Sequence, residues 1–181
     1  MNWEEYITDF DEILEGRETS SPYDNPTYVE YTKLNKSRMK RWMKRGVLTD
    51  KMKQAVDKIN AKQKWILITE PWCGDSAHVA PFLKKIVDSS SYIELEIQVR
   101  DGSEIDNYLT NGNRSIPKLI VRDENNKDLF TWGARPAGAA ELVKQQKSSN
   151  KSTQDKKAEL QVCYNKDKGG AFQEEIAALL P

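Results

Sequence analysis

Histidine and cysteine are nearly absent from this chain. Its 181 residues include one histidine, His78, and two cysteines, Cys73 and Cys163. A single imidazole excludes a histidine-rich metal site. Two cysteines so far apart are too few for the disulfide framework of a small secreted domain. An excess of charge is also missing: 28 Lys and Arg balance 28 Asp and Glu. No global field therefore favours nucleic acid or an anionic membrane. No stretch approaches the roughly 18 apolar residues of a membrane span. The acidic start Met1-Asn2-Trp3-Glu4-Glu5 lacks the basic and then apolar segments of a signal peptide. The expectation is a cytoplasmic protein with no membrane or nucleic-acid partner.

What is present is core material, with five Trp and seven Tyr in a chain that is 38% hydrophobic. Three sections differ in character. Residues 1–62 read as a helical N-terminal extension. Trp3, Tyr6, Ile7, Phe10, Ile13 and Leu14 recur at helical spacing up to Gly16. After the turn-rich Ser20 to Pro26, a second helix is expected over about 27–45, stopped by Gly46. Thr49 is placed to cap a third helix. The extension should cover a face of the domain through Trp3, Phe10, Trp42 and Met43.

Residues 63–147 alternate strand and helix signals. Trp65 to Thr69 is a continuous apolar run, as a strand buried on both faces requires. A helix follows over about 74–88. Tyr92 to Arg100 alternates strictly, with Ile93, Leu95, Ile97 and Val99 on one face, and reads as an edge strand. Ser103 starts a short helix ended by Gly112. Residues 117–121 and 127–132 are two strands joined at a turn, and Pro136 opens another helix. Residues 148–181 form a polar linker and a C-terminal helix. The charged stretch 147–157 is the expected flexible part, and the helix is expected over about 171–180.

The strand–helix order, with Trp72-Cys73-Gly74-Asp75-Ser76 between the first strand and its helix, resembles the thioredoxin superfamily. Ile116-Pro117 before the third strand and Trp132-Gly133-Ala134 after the hairpin fit the same pattern. With its helical extension and the Cys163-Tyr164-Asn165 tail, the chain is similar to a bacterial group of thioredoxin family proteins. The resemblance implies an α/β thioredoxin-like fold, a mixed sheet flanked by helices, with added N-terminal and C-terminal helices. It implies that Cys73 is the active thiol and that Pro117 is a cis-proline beside it. It also implies that the backbone of Ile116 offers hydrogen bonds to a bound substrate. Trp72, Gly74, Asp75 and Ser76 would shape the site.

A cysteine at a helix N-terminus faces free N–H groups and the positive end of the helix dipole. That predicts a thiol pKa below the usual value of about 8.5. Three departures from the family pattern restrict the chemistry. Ser76 occupies the second-cysteine position, and a hydroxyl cannot resolve a mixed disulfide. Asp75 sets a carboxylate beside the thiol and opposes the thiolate. Leu67 stands where the family has a buried acid. The expected role is therefore monothiol exchange with a thiol- or disulfide-containing protein or with glutathione. The alternative is a redox-inactive thioredoxin-fold module that binds proteins.

No cofactor is expected beyond glutathione. An iron–sulfur cluster is not expected, although Cys73-Gly74-Asp75-Ser76 has the outline of monothiol glutaredoxins, because Trp72 and Asp75 depart from them. The basic run Lys33, Lys36, Arg38, Lys40, Arg41, Lys44 and Arg45 is read as the solvated face of a helix rather than a nucleic-acid site. His78 is expected at the surface. Cys163 is read as a small apolar contact in the tail.

Overall fold

The structure, a computed structural model, describes residues 1–180. Helices α1 (Trp3–Leu14), α2 (Pro26–Arg45) and α3 (Asp50–Val56) precede strand β1 (Gln63–Thr69). Then come α4 (Ser76–Asp88), β2 (Ile93–Val99), β3 (Lys118–Asp123), β4 (Asp128–Gly133) and α5 (Ala137–Lys147). Helices α6 (Thr153–Asp167) and α7 (Gly170–Leu179) close the described chain. The strands form one sheet in the order β2-β1-β3-β4. β1 is parallel to β2 and antiparallel to β3, which is antiparallel to β4. This is the α/β thioredoxin-like architecture with added helices at both ends.

Local chemistry sets the helix starts. Asn2 and Glu5 make a reciprocal capping box on α1, while Asn25 and Thr49 accept from Thr27 and Met52 at the starts of α2 and α3. Pro26 sits in the first turn of α2, where its missing N–H costs nothing.

β1 is central, and its two faces look into two cores. Trp65 and Leu67 join a large cluster with Trp3, Tyr6, Phe10, Met39, Trp42, Met52, Phe82, Leu119, Val121, Phe172 and Ile176. The N-terminal extension, α4 and α7 thus share one hydrophobic core, and Met43 packs half-buried against it. Ile66 and Ile68 face a smaller cluster with Cys73, Ile105, Ile116 and Ile120. β2 lies at the sheet edge, and its outer backbone exchanges two 2.8 Å hydrogen bonds between Ile97 and Met1. This satisfies part of an edge that would otherwise be open to pairing.

Two expected elements differ. The short helix from Ser103 to Gly112 is only a 3₁₀ turn at Ile105–Asn107; beyond it Thr110 and Asn113 bridge to each other in a tight loop. The flexible stretch 147–157 is interrupted by α6, which begins at Thr153 with the Ser152 hydroxyl accepting from the Asp155 N–H. α6 shows no apolar stripe because polar groups dock it. Lys157 bonds the Tyr31 hydroxyl, Arg41 donates to Asn165 Oδ1 (2.6 Å), and Gln146 donates to Glu159 (3.0 Å).

Candidate functional site

The motif turns between the end of β1 and the first turn of α4. The Cys73 N–H donates to the Glu70 carbonyl (2.9 Å), and Glu70 in turn accepts from the Arg100 N–H (3.0 Å). The Pro71 carbonyl accepts from Asn35 Nδ2 (2.9 Å), which fastens the loop to α2. α4 begins at Ser76 rather than near Gly74, so Cys73 lies before the helix instead of in its first turn. Its Sγ is 3.6 Å from the Ile116 carbonyl oxygen, and the Ile116–Pro117 peptide is cis. Cys73, Ile116 and Pro117, distant in sequence, are therefore neighbours. Trp72 is half-buried and packs against the cluster that holds Cys73. Tyr28 meets it edge-on at 5.4 Å, and the Arg100 guanidinium lies 5.3 Å from its ring.

The thiol environment reverses one expectation. Cys73 is 6% exposed. Its pKa is pushed up to about 11, first by burial and then by the Asp75 carboxylate. The Ser76 hydroxyl and the N–H groups of Asp75 and Ser76 favour the thiolate, but they do not overcome burial. At rest the Ser76 hydroxyl is buried and finds no hydrogen-bond partner among the described residues. It nevertheless lies where it can donate to a sulfur that has lost its proton.

Asp75 is buried and doubly held. Tyr164 donates its hydroxyl to Oδ1 (2.7 Å), and Arg135 pairs with Oδ2 (2.7 Å). Burial pushes the Asp75 carboxyl up, while Arg135 and Tyr164 favour its ionised form. Sequence reasoning missed both partners. Arg135 directly follows Trp132-Gly133-Ala134, a segment that the fold brings to the site. Tyr164 belongs to the tail already noted for its resemblance, but nothing in its spacing points toward Asp75.

His78 was also misplaced: it is 3% exposed, not a surface residue. Its ring stacks on Tyr164 at 4.5 Å and 5°. Trp42 Nε1 donates to Nδ1 (2.9 Å), and Nε2 meets Gln161 Oε1 (2.7 Å). Burial pushes its pKa down to about 4, and the nearby charges of Arg38 and Arg41 act in the same direction. Cys163 is free, as is Cys73. It lines a cleft of about 440 Å³ with Leu142 of α5, whereas Tyr164, next in sequence, reaches Asp75. Leu67 is fully buried in the larger core, so no acid approaches the thiol from β1.

Among the described residues, no group of three or more His, Cys, Asp or Glu is arranged to hold a metal ion. No helix among them is long and apolar enough to cross a membrane. The site can supply one thiol, a peptide backbone for substrate pairing, an aromatic flank at Trp72, and a buried carboxylate that tunes the sulfur.

Comparison with known proteins bears on the fold. The chain is similar to the crystal structure of an HIV epitope scaffold at 17% identity and a TM-score of 0.56, covering 99% of this chain and 97% of the other. It is also similar to a protein of unknown function from Pseudomonas aeruginosa at 15% identity and a TM-score of 0.60, covering 98% and 90%. At such identities these likenesses speak to fold alone. No curated protein matches. The family model described as thioredoxin matches residues 22–158, a span that holds Cys73, Asp75, Pro117 and Arg135. The chain belongs to the thioredoxin family.

Proposed function

We propose that this protein performs single-thiol exchange at Cys73 with a disulfide-bearing partner, and that it works in a reducing compartment such as the cytoplasm. The observation that carries the reading is Cys73 Sγ seated 3.6 Å from the Ile116 carbonyl beside Pro117, with a hydroxyl at position 76. In the reaction, the Cys73 sulfur attacks one sulfur of the partner. A new S–S bond forms, the partner's bond breaks, and the departing thiolate takes up the proton that Cys73 released. Cys73 and one partner sulfur end in a mixed disulfide, and the other partner sulfur is reduced. Without a second thiol in the motif, release needs an external thiol.

With a pKa of about 11, the thiolate fraction near neutral pH is about one in 10⁴, against about one in 30 for an ordinary cysteine. The more basic thiolate is the better nucleophile and recovers about tenfold of that loss. Exchange at rest is then roughly 30-fold slower than at a free cysteine, which suits a selective site better than a general reductant. The burial of Cys73 also favours a second reading, a redox-inactive module that binds partners on the Trp72 and Pro117 surface.

One measurement tests the thiol's environment and a second separates the readings. Alkylation of Cys73 by iodoacetamide against pH should give an apparent pKa near 11, and Asp75→Asn should lower it by removing the second-largest cause. Incubation with hydroxyethyl disulfide, followed by peptide mapping, should place an adduct on Cys73. An unmodified Cys73 across the accessible pH range would leave only the binding module. Insulin reduction should be weak or absent in either case.

A further inference from the structure

Gly74, next to Cys73 in sequence, faces polar side chains of α2 and α6. A Cβ built on Gly74 would stand 3.6 Å from Gln161 Nε2, 3.8 Å from Arg38 Nη1 and 4.0 Å from Asn35 Oδ1. Gly74, Arg38 and Gln161 are each partly exposed, so their polar groups border solvent.

Both donors are held in place by buried neighbours. Asn35 is 1% exposed, gives its Nδ2 to the Pro71 carbonyl and receives Arg38 Nη1 on Oδ1 (2.7 Å). Arg38 has no carboxylate partner among the described residues, although it is partly withdrawn from water. The other donor is fixed by a chain of three groups. The Trp42 indole can only donate, so His78 Nδ1 must accept. The neutral ring therefore carries its proton on Nε2 and donates it to Gln161 Oε1. That sets the orientation of the Gln161 amide and turns its NH₂ toward Gly74, where it meets no acceptor among the described residues.

A cation without an acid and an amide N–H without an acceptor thus converge beside a cysteine. Donors so arranged, with no acid among their partners, suit a carboxylate, which accepts charge-assisted hydrogen bonds on two oxygens. The pre-set rotamers of Arg38 and Gln161 reduce the ordering cost of binding. A carboxylate here, with its own sulfur at Cys73, describes a small peptide thiol whose carboxyl lies close to its cysteine.

We propose that Arg38, Gln161 and Gly74 form a seat for the carboxylate of a glutathione-type ligand that meets Cys73 through its sulfur. This deepens the reading of Cys73 as an exchange site and rests on it for the chemistry, though not for the binding. The exchange step is that given above, with glutathione disulfide as the oxidant and reduced glutathione as the leaving thiol.

The test uses a ligand that cannot react. S-methylglutathione is titrated into the full chain while the Gly74 amide is followed by NMR, and its glycine ethyl ester is titrated in parallel. The acid should shift the Gly74 amide saturably, and the ester should bind at least tenfold more weakly. Arg38→Gln should weaken binding of the acid about tenfold, with Arg38→Lys between the two. Equal binding of acid and ester, an unchanged affinity in Arg38→Gln, or no response at Gly74 overturns the seat. The acid–ester comparison is made on the native protein, so it stands even if a variant fails to fold. The exchange reading is judged separately, by whether hydroxyethyl disulfide modifies Cys73. A seat that binds without modification, or modification without a seat, tells the two apart.

Discussion

The buried imidazole of His78 makes the pH dependence of stability a residue-scale property. The ring has an ordinary pKa of about 6.5 when the chain is unfolded, and burial lowers it to about 4 in the fold. Between those values the unfolded chain binds a proton that the folded chain refuses. Stability must then fall as the pH drops from about 6.5 to about 4, with no further loss from this group below that. The shift corresponds to roughly 3 kcal/mol. Urea unfolding at about pH 7 and about pH 4.5 should show a larger loss for the native chain than for His78→Gln. Parallel pH dependences would contradict this account. His78 also marks where sequence reading ends. One histidine on a helix with polar and apolar neighbours reads as a surface group. Only the fold shows that Trp42 from α2 and Gln161 from α6 satisfy both of its nitrogens. That Cys73, Ile116 and Pro117 come together was legible because motif and strand order fix their places. The raised thiol pKa was not, because it comes from burial, and the partners of Asp75 come from distant segments.

Among the elements, α6 was the hardest to read, for a physical reason. A helix announces itself by an apolar stripe, and α6 buries only Tyr164. Apart from the stack of Tyr164 on His78, hydrogen bonds with side chains of α2, α4 and α5 hold it, and these leave no periodic signal. The link to α7 is equally specific. Lys168 and Gly169 adopt left-handed conformations, with φ of 54° and 78°, so the chain reverses in two residues. A Cβ on Gly169 would lie 2.4 Å from the buried ring of Phe82. Beyond the turn, Glu175 accepts from Trp132 Nε1 and from the Ala137 N–H, both at 2.7 Å, which ties α7 to β4 and to the start of α5. Gly169→Ala must therefore strain the backbone and displace a core ring. The expected loss is about 3 kcal/mol, from overpacking together with left-handed strain. Chemical denaturation measures it. A variant within about 0.5 kcal/mol of the native chain would mean that α7 can shift without cost.

Across the whole molecule, the division into extension and domain describes the sequence better than it describes the fold. The amphipathic pattern of α1 and the alternation of β2 were clear in the chain because each reflects a single buried face. That the extension and α7 meet in the same core was less clear, since shared burial leaves no mark on either segment alone. Trp3, Tyr6, Phe10, Met39, Trp42 and Met52 are all buried against residues of the sheet and α4. Each such side chain contributes about 1.5–3 kcal/mol on burial. The six together supply about 10 kcal/mol or more, as much as the whole net stability of an ordinary domain at about 5–15 kcal/mol. Removal of residues 1–60 should therefore not yield a smaller thioredoxin. It should give an insoluble chain, or a compact one with far-UV signal, no near-UV signal and strong dye binding. The truncation also removes Arg38, Asn35 and Trp42, so a truncate that folds cooperatively would separate the domain's stability from the extension that shapes its site. A sharp urea transition with native-like near-UV dichroism in the truncate would show that α1–α3 are a cover and not part of the core.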